Sequence, residues 1–122
     1  MTDHPADPRP RVTASNHSVA IAGTRCGSCG YCCLDDSVLC MACGSTLSPA
    51  CFSPEGTIWA GTVQRIEVNG RIPPMILAYI DLDEGPRLLA HVTGKVTAPQ
   101  VGARARLVGT TKEGDPLAEV IC

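Results

Sequence analysis

This sequence predicts a mainly β chain in two unequal parts, a small cysteine-held ribbon followed by a five-stranded barrel. Three observations carry that expectation. Six of the eight cysteines fall within the eighteen residues from Cys26 to Cys43. The residues after Thr57 break into short strand-like runs punctuated by Gly and Pro. The apolar side chains are rich in Val, Ile and Leu, with four aromatics (Tyr31, Phe52, Trp59, Tyr79) among 122 residues, a balance that favours sheet over helix. A chain of this length has room for one core and a small module beside it.

Residues 1–20 place Pro5, Pro8 and Pro10 among charged and small polar residues, the composition of a flexible tail. Residues 21–50 hold the cysteine block, with Gly23, Gly27, Gly30 and Gly44 supplying backbone freedom and too few large apolar side chains for a core. Something other than burial must hold that block together.

Residues 51–122 read as the barrel. Strands are expected over 57–68, 75–83, 87–93, 103–111 and 117–121. Alternation is clear in the second, where Ile76, Ala78, Ile80 and Leu82 share a face, and in the third, where Leu88, Ala90 and Val92 do. In the first, Ile66 and Val68 fall in phase with Ile58 and Ala60 while Val63 does not, which predicts a bulge or bend near Gly61. Residues 94–102 are too short and too rich in Pro and Gly for a substantial helix. Five strands after a cysteine module fit a small Greek-key barrel of the OB type, with other five-stranded barrels and short sandwiches as rivals.

The cysteine block is two copies of one turn. Cys26-x2-Cys29-Gly and Cys40-x2-Cys43-Gly stand ten residues apart, the layout of two metal-binding knuckles that together make one tetrahedron. A two-residue spacer lets both thiolates of a pair reach one ion about 2.3 Å from each sulfur. Zinc is the expected metal, in a closed structural site of the rubredoxin-like zinc-ribbon kind, because four sulfurs leave no position open for substrate and metal binding supplies folding energy that the segment lacks. An iron–sulfur cluster is disfavoured: Cys26, Cys29 and Cys32 begin like a ferredoxin run, but Asp36 and Ser37 stand where the fourth cysteine and a proline belong. A single iron on the same four sulfurs, as in an electron carrier of the rubredoxin type, is chemically possible. A thioredoxin-type dithiol lacks its βαβ surroundings. Cys32, Cys33, Cys51 and Cys122 lie outside the tetrahedron and read as small buried or terminal side chains.

Ten basic against twelve acidic residues give a formal charge of −2 with no basic block, so a phosphate backbone is not the default partner. A single-stranded nucleic-acid module of ribbon and barrel is kept as an alternative, since OB barrels bind single strands by aromatic stacking. The longest apolar run, Met75 to Ile80, is far too short to span a bilayer, and the N-terminus lacks the apolar segment of a signal peptide. A cytoplasmic protein is expected, in a compartment that disfavours structural disulfides.

Five stretches, "GTRCGSCG", "CMACGS", "SPEGTIWAGTVQR", "IPPMILAYIDLDEG" and "QVGARARLV", follow one another in an order and spacing that resemble the zinc-ribbon plus OB-fold proteins associated with acyl-CoA enzymes, from about Gly23 to Val120. The resemblance implies a non-catalytic partner of a thiolase-fold enzyme (a thiolase, an acyltransferase or an aldolase), in a hetero-oligomer with acyl-CoA at the shared interface. Members of that family carry a helical segment before the ribbon and a Pro-Pro pair in its loop; here the start is Pro-rich and the loop reads "GYCCLDDSVL".

In that setting Arg65, Arg71 and Arg87, on or beside the expected strands, could meet CoA phosphates or an acidic enzyme surface, solvated strand arginines being the ordinary alternative. Trp59, the lone tryptophan, falls where a barrel face could meet a partner, with packing in the core or at the rim as the alternative. His91, between Ala90 and Val92, reads as a half-exposed or hydrogen-bonded histidine. Asp81, Asp83 and Glu84 read as a solvated hairpin turn ending at Gly85-Pro86. No Ser-His-Asp order, P-loop or dinucleotide glycine fingerprint is present.

Overall fold

In the computed structural model, which describes residues 10–15, 18–34, 37–94 and 97–121, nine strands form two sheets. The first holds β1 (Arg11–Ser15), β2 (Ser18–Cys26), β3 (Cys32–Cys33) and β4 (Leu47–Phe52). β2 is its spine: β1 and β3 pair with successive parts of one edge and β4 with the other, all antiparallel. The second sheet is a closed barrel of β5 (Glu55–Gln64), β6 (Met75–Leu82), β7 (Arg87–Val92), β8 (Arg104–Thr110) and β9 (Pro116–Ile121), in the order β5-β6-β7-β9-β8. Only the β7–β9 pairing is parallel. This is the OB topology, and the expected fold class holds.

The expected tail is corrected over part of its length. Residues 1–9 lie outside the described residues, but Arg11–Ser15 and Ser18–Cys26 form a paired hairpin in the stretch read as flexible. Pairing explains it: strand formation depends more on a partner edge than on local composition, and β1 also lies against β8 of the barrel.

The period-2 alternation of β6 and β7 builds the barrel core. Ile76, Ala78, Ile80 and Leu82 point inward with Leu88, Ala90 and Val92, and meet Ile58, Ala105, Leu107 and Ala118. Ile21 and Phe52 of the first sheet belong to the same buried cluster, so the two sheets share one core. The ribbon's own cluster is Cys26, Cys40 and Leu47, with Cys33 against it, too little to hold a segment of that length by burial.

β5 carries the bulge expected near Gly61, two residues before it, and differs from expectation in where it ends. The extra residue lies between Ile58 and Ala60, which oppose the adjacent residues Ile80 and Tyr79, so Trp59 is the bulge. Gly61 has another cause: a Cβ there would stand 2.7 Å from the Pro99 Cδ and 2.8 Å from its carbonyl oxygen, so only glycine lets that loop cross the strand. β5 then stops at Gln64 rather than at residue 68. Ile66 and Val68 are exposed in a loop that turns back through Asn69 and Gly70, both with positive φ.

Candidate functional site

Both knuckles adopt one conformation. The Cys26 N–H donates to the Tyr31 carbonyl and the Gly30 N–H to the Cys26 carbonyl; likewise Cys40 N–H donates to the Ser45 carbonyl and Gly44 N–H to the Cys40 carbonyl. Gly30 and Gly44 share a φ of 81°, the left-handed region that glycine occupies without cost. Ala42 N–H donates to the Cys40 sulfur at 3.3 Å.

The four Sγ atoms of Cys26, Cys29, Cys40 and Cys43 all lie within 4.8 Å of one another. Cys26 and Cys43 are 3.5 Å apart and Cys29 and Cys40 3.6 Å. A disulfide would bring sulfurs to about 2.05 Å, whereas four sulfurs each about 2.3 Å from one ion have tetrahedral edges of about 3.8 Å. The set fits a single ion. Its electrostatics agree, because four like charges cannot share this volume without a cation. Hydrogen bonds from the Ser45 hydroxyl and backbone N–H, then contacts with Cys26 and Cys29, lower the Cys43 thiol to about 6. The Tyr31 backbone N–H favours the Cys29 thiolate, but burial and the bonds to Cys40, Cys43 and Cys26 outweigh it and push that thiol up to about 12.

Cys32 and Cys33 are half-buried on β3, while Cys51 is exposed on β4 rather than buried as expected; Cys122 lies outside the described residues. The ribbon tip displays Val38, Leu39 and Met41 to solvent, Met41 at 86% exposure.

On the barrel, odd-numbered residues of β6 and β7 face outward. Tyr79 stands opposite Leu89 and Leu77 opposite His91. The bulge sends Trp59 to this face, edge-on to Tyr79 with ring centroids 6.0 Å apart. The guanidinium of Arg87 sits 3.8 Å from the Trp59 centroid and is bound to Asp81, its cross-strand neighbour. Four residues along β7, about 13 Å away, a second polar group closes the face. Arg71 donates from Nε and Nη2 to the two oxygens of Asp115 at 2.5 and 2.9 Å, and His91 Nε2 lies 3.1 Å from Asp115 Oδ2. Between these ends the face deepens into a cleft of about 390 Å³. In OB barrels the second and third strands with their flanking loops are the usual ligand surface, and this cleft occupies that position.

Of the four candidate binding residues, then, Trp59 and Arg87 come together and Arg71 marks the far end of the same face. Arg65 is exposed just past β5 and joins neither group. His91 is hydrogen-bonded, one of the two expected readings, with its side chain 20% exposed rather than half-exposed. The "DLDEG" turn is exposed, yet each carboxylate is engaged: Asp81 by Arg87, Asp83 by Arg104 in a paired geometry of 2.8 and 2.7 Å, and Glu84 by Arg25 and the Ser53 N–H. Arg104 holds the Asp83 carboxyl below the usual carboxylate range. The last two contacts tie the ribbon sheet to the barrel. Sequence reasoning missed Asp115, Arg104 and Arg25, whose ion-pair partners lie between 21 and 59 residues away.

A four-cysteine knuckle pair beside a closed five-stranded barrel, with aromatic side chains and a cleft on its outer wall, defines a ribbon-and-barrel protein. Residues 52–110 match the family model described as "ChsH2, C-terminal OB-fold domain", so this part of the chain is similar to that domain. No curated protein sequence matches the chain. Among solved structures it is similar to a chain of the "Ltp2-ChsH2(DUF35) aldolase", with 20% identity, a TM-score of 0.66, and coverage of 81% of this chain and 83% of that one. A DUF35-family protein of unknown function from Sulfolobus solfataricus matches with 20% identity and a TM-score of 0.61, over 84% of this chain and 76% of that one. These likenesses show the shared fold. Among the described residues no helix is long and apolar enough to cross a membrane.

Proposed function

We propose that this chain is a non-catalytic accessory subunit of a thiolase-fold enzyme acting on acyl-CoA, an aldolase, thiolase or acyltransferase, in a cytoplasmic hetero-oligomer. One observation carries the reading: residues 52–110 are similar to the ChsH2 C-terminal OB-fold domain, and the fold likeness to a chain of the Ltp2-ChsH2(DUF35) aldolase covers 81% of this chain. The surface chemistry supports it. Trp59, Tyr79 and Leu89 on the barrel and Val38, Leu39 and Met41 on the ribbon are exposed apolar groups of the kind that interfaces bury. The polar groups beside them are bound to one another, Arg87 to Asp81 and both Arg71 and His91 to Asp115, which suits docking and orientation better than proton transfer.

Zinc, held by Cys26, Cys29, Cys40 and Cys43, would supply folding energy to the ribbon. The residues themselves do the rest: the knuckle backbone orients the sulfurs, and the bonds from Arg25 and Ser53 to Glu84 fix the ribbon against the barrel.

Co-expression with the candidate thiolase-fold enzyme tests the proposal. The two chains should elute as one species on size exclusion. An enzyme that is monodisperse and fully active alone, and ignores this chain, overturns it. A second reading, a single-stranded nucleic-acid module, has exposed Trp59 and Tyr79 on an OB face in its favour and a formal charge of −2 against it. Salt-dependent binding of an oligonucleotide, quenching Trp59 fluorescence, is the result that reading requires.

A further inference from the structure

The ribbon sheet holds more sulfur than its four-ligand set uses, and one of the extra cysteines is placed to act on that set. Cys33 pairs with Thr24 across β2 and β3, and Cys26 lies two residues further along β2. Alternate residues of a strand share a face, and diagonal neighbours on adjacent strands stand about 7–8 Å apart. Cys33 therefore projects from the same face as Cys26, where it is half-buried and packed against the cluster of Cys26, Cys40 and Leu47. Gly23 lets β3 lie this close to β2, since a Cβ there would collide with the Cys33 carbonyl oxygen. The other described cysteines outside the set are placed differently. Cys32 points to the opposite face, its Sγ 3.8 Å from the Glu84 carbonyl oxygen, and Cys51 stands opposite Ala22, about 13 Å along β2 from Cys26.

We propose that Cys33 is a reserve metal ligand, able to take the place of Cys26 and complete the set Cys29, Cys33, Cys40 and Cys43. The exchange is a ligand substitution with no redox change: the Cys33 S–H proton passes to solvent, and its sulfur supplies the donor that Cys26 no longer gives. Each knuckle region still contributes a pair of sulfurs. The β2–β3 pairing keeps the donor beside the vacated position, at an effective concentration that a thiol from solution does not reach. Cys40 has no such substitute, because its loss leaves the second knuckle tied by Cys43 alone. Cys29 and Cys43 are exposed and stand outside the buried cluster that Cys33 packs against. The ribbon then has two ligand sets for one ion, anchored on β2 or on β3, and this holds whether or not the chain is an accessory subunit.

Zinc content and cobalt spectra of the full chain, prepared under reductant, test this. Cys26→Ala should retain about one zinc per chain, and its cobalt form should keep the sulfur-to-metal charge-transfer intensity and tetrahedral bands of a four-sulfur site. Removing Cys33 as well should weaken zinc binding at least about a hundredfold and leave the fainter spectrum of a three-sulfur site. Removing Cys32 in place of Cys33 should change neither, because Cys32 faces away. Cys40→Ala should lose its zinc with Cys33 still present. If Cys26→Ala is not recovered in soluble form, the rate of zinc transfer from the otherwise intact chain to a chelator decides. Cys33→Ala should release zinc at least about threefold faster than wild type, since no second donor holds the ion when Cys26 lets go. A three-sulfur cobalt spectrum or loss of zinc in soluble Cys26→Ala, equal affinity with and without Cys33 in that background, equal retention by Cys40→Ala and Cys26→Ala, or, where release is the readout, equal rates from Cys33→Ala and wild type each overturns the proposal.

Discussion

Arg87 and Trp59 form a stacked pair on the outer wall of the barrel, with the guanidinium carbon 3.8 Å from the indole centroid and the far side of the guanidinium held by Asp81. The arrangement presets the rotamer of an indole that is still 50% exposed, and a preorganised aromatic side chain is what a binding hot spot needs. Trp59→Ala should therefore leave the chain within about 1 kcal/mol of wild-type stability and weaken association with the partner enzyme at least about tenfold. Thermal melts and surface-plasmon titration check the two halves. Unchanged affinity would place the interface on another face.

Gly61 is irreplaceable for a steric reason. An added Cβ would lie 2.7 Å from the Pro99 ring and 2.8 Å from its carbonyl oxygen, so either β5 or the loop before β8 must shift. Gly61→Ala should cost about 1–3 kcal/mol, the usual range for overpacking, visible as a lower midpoint in urea. A wild-type midpoint would mean that the crossing loop yields freely.

Much of this architecture was legible in the sequence, and the parts that were not share a cause. β6 and β7 could be read directly, because Ile76 to Leu82 and Leu88 to Val92 alternate with one face buried, and the clustering of Cys26, Cys29, Cys40 and Cys43 could be read because Cys-x2-Cys spacing is local chemistry. β1 could not: Arg11–Ser15 becomes a strand through its pairing with β2 and its packing on β8, neither visible locally. Ile66 and Val68 kept the phase of β5 and misled, since alternation cannot show that the strand ends at Gln64 and the chain turns at Asn69 and Gly70. Asp115 was silent for the same reason, its partners Arg71 and His91 arriving from 44 and 24 residues away.

Asp83 makes stability pH-dependent in a defined direction. Its carboxyl is held below the ordinary 3.8 by the paired bonds to Arg104, so the folded state favours the ionised form. Stability from this pair is fully present above the unfolded value and is lost as pH falls through the lowered folded value. Asp83→Asn should melt below wild type at pH 6, and the gap should narrow towards pH 3. A gap of constant size across that range would show that Asp83 is not the titrating group.

Removing the metal should divide the chain into an unequal pair. Cys26, Cys40 and Leu47 form a cluster too small to order the ribbon alone, whereas Ile21 and Phe52 remain in the barrel core. Cys40→Ser, or a strong chelator, should collapse amide dispersion across 27–46 while the β6 and β7 resonances persist. Cys51→Ser, at an exposed cysteine outside the four-sulfur set, should change neither spectrum nor metal content. Metal analysis of the wild type should return one zinc per chain with no visible absorbance. A coloured protein with one iron and a reversible one-electron potential would favour the electron carrier.

The most direct test of the central claim is a turnover titration in which this chain is added at rising ratios to its purified thiolase-fold partner and acyl-CoA cleavage or condensation is followed. Activity should climb from near background to a plateau at a fixed stoichiometry, with Trp59→Ala shifting the curve to higher concentrations. Full turnover before any of this chain is added would contradict the account.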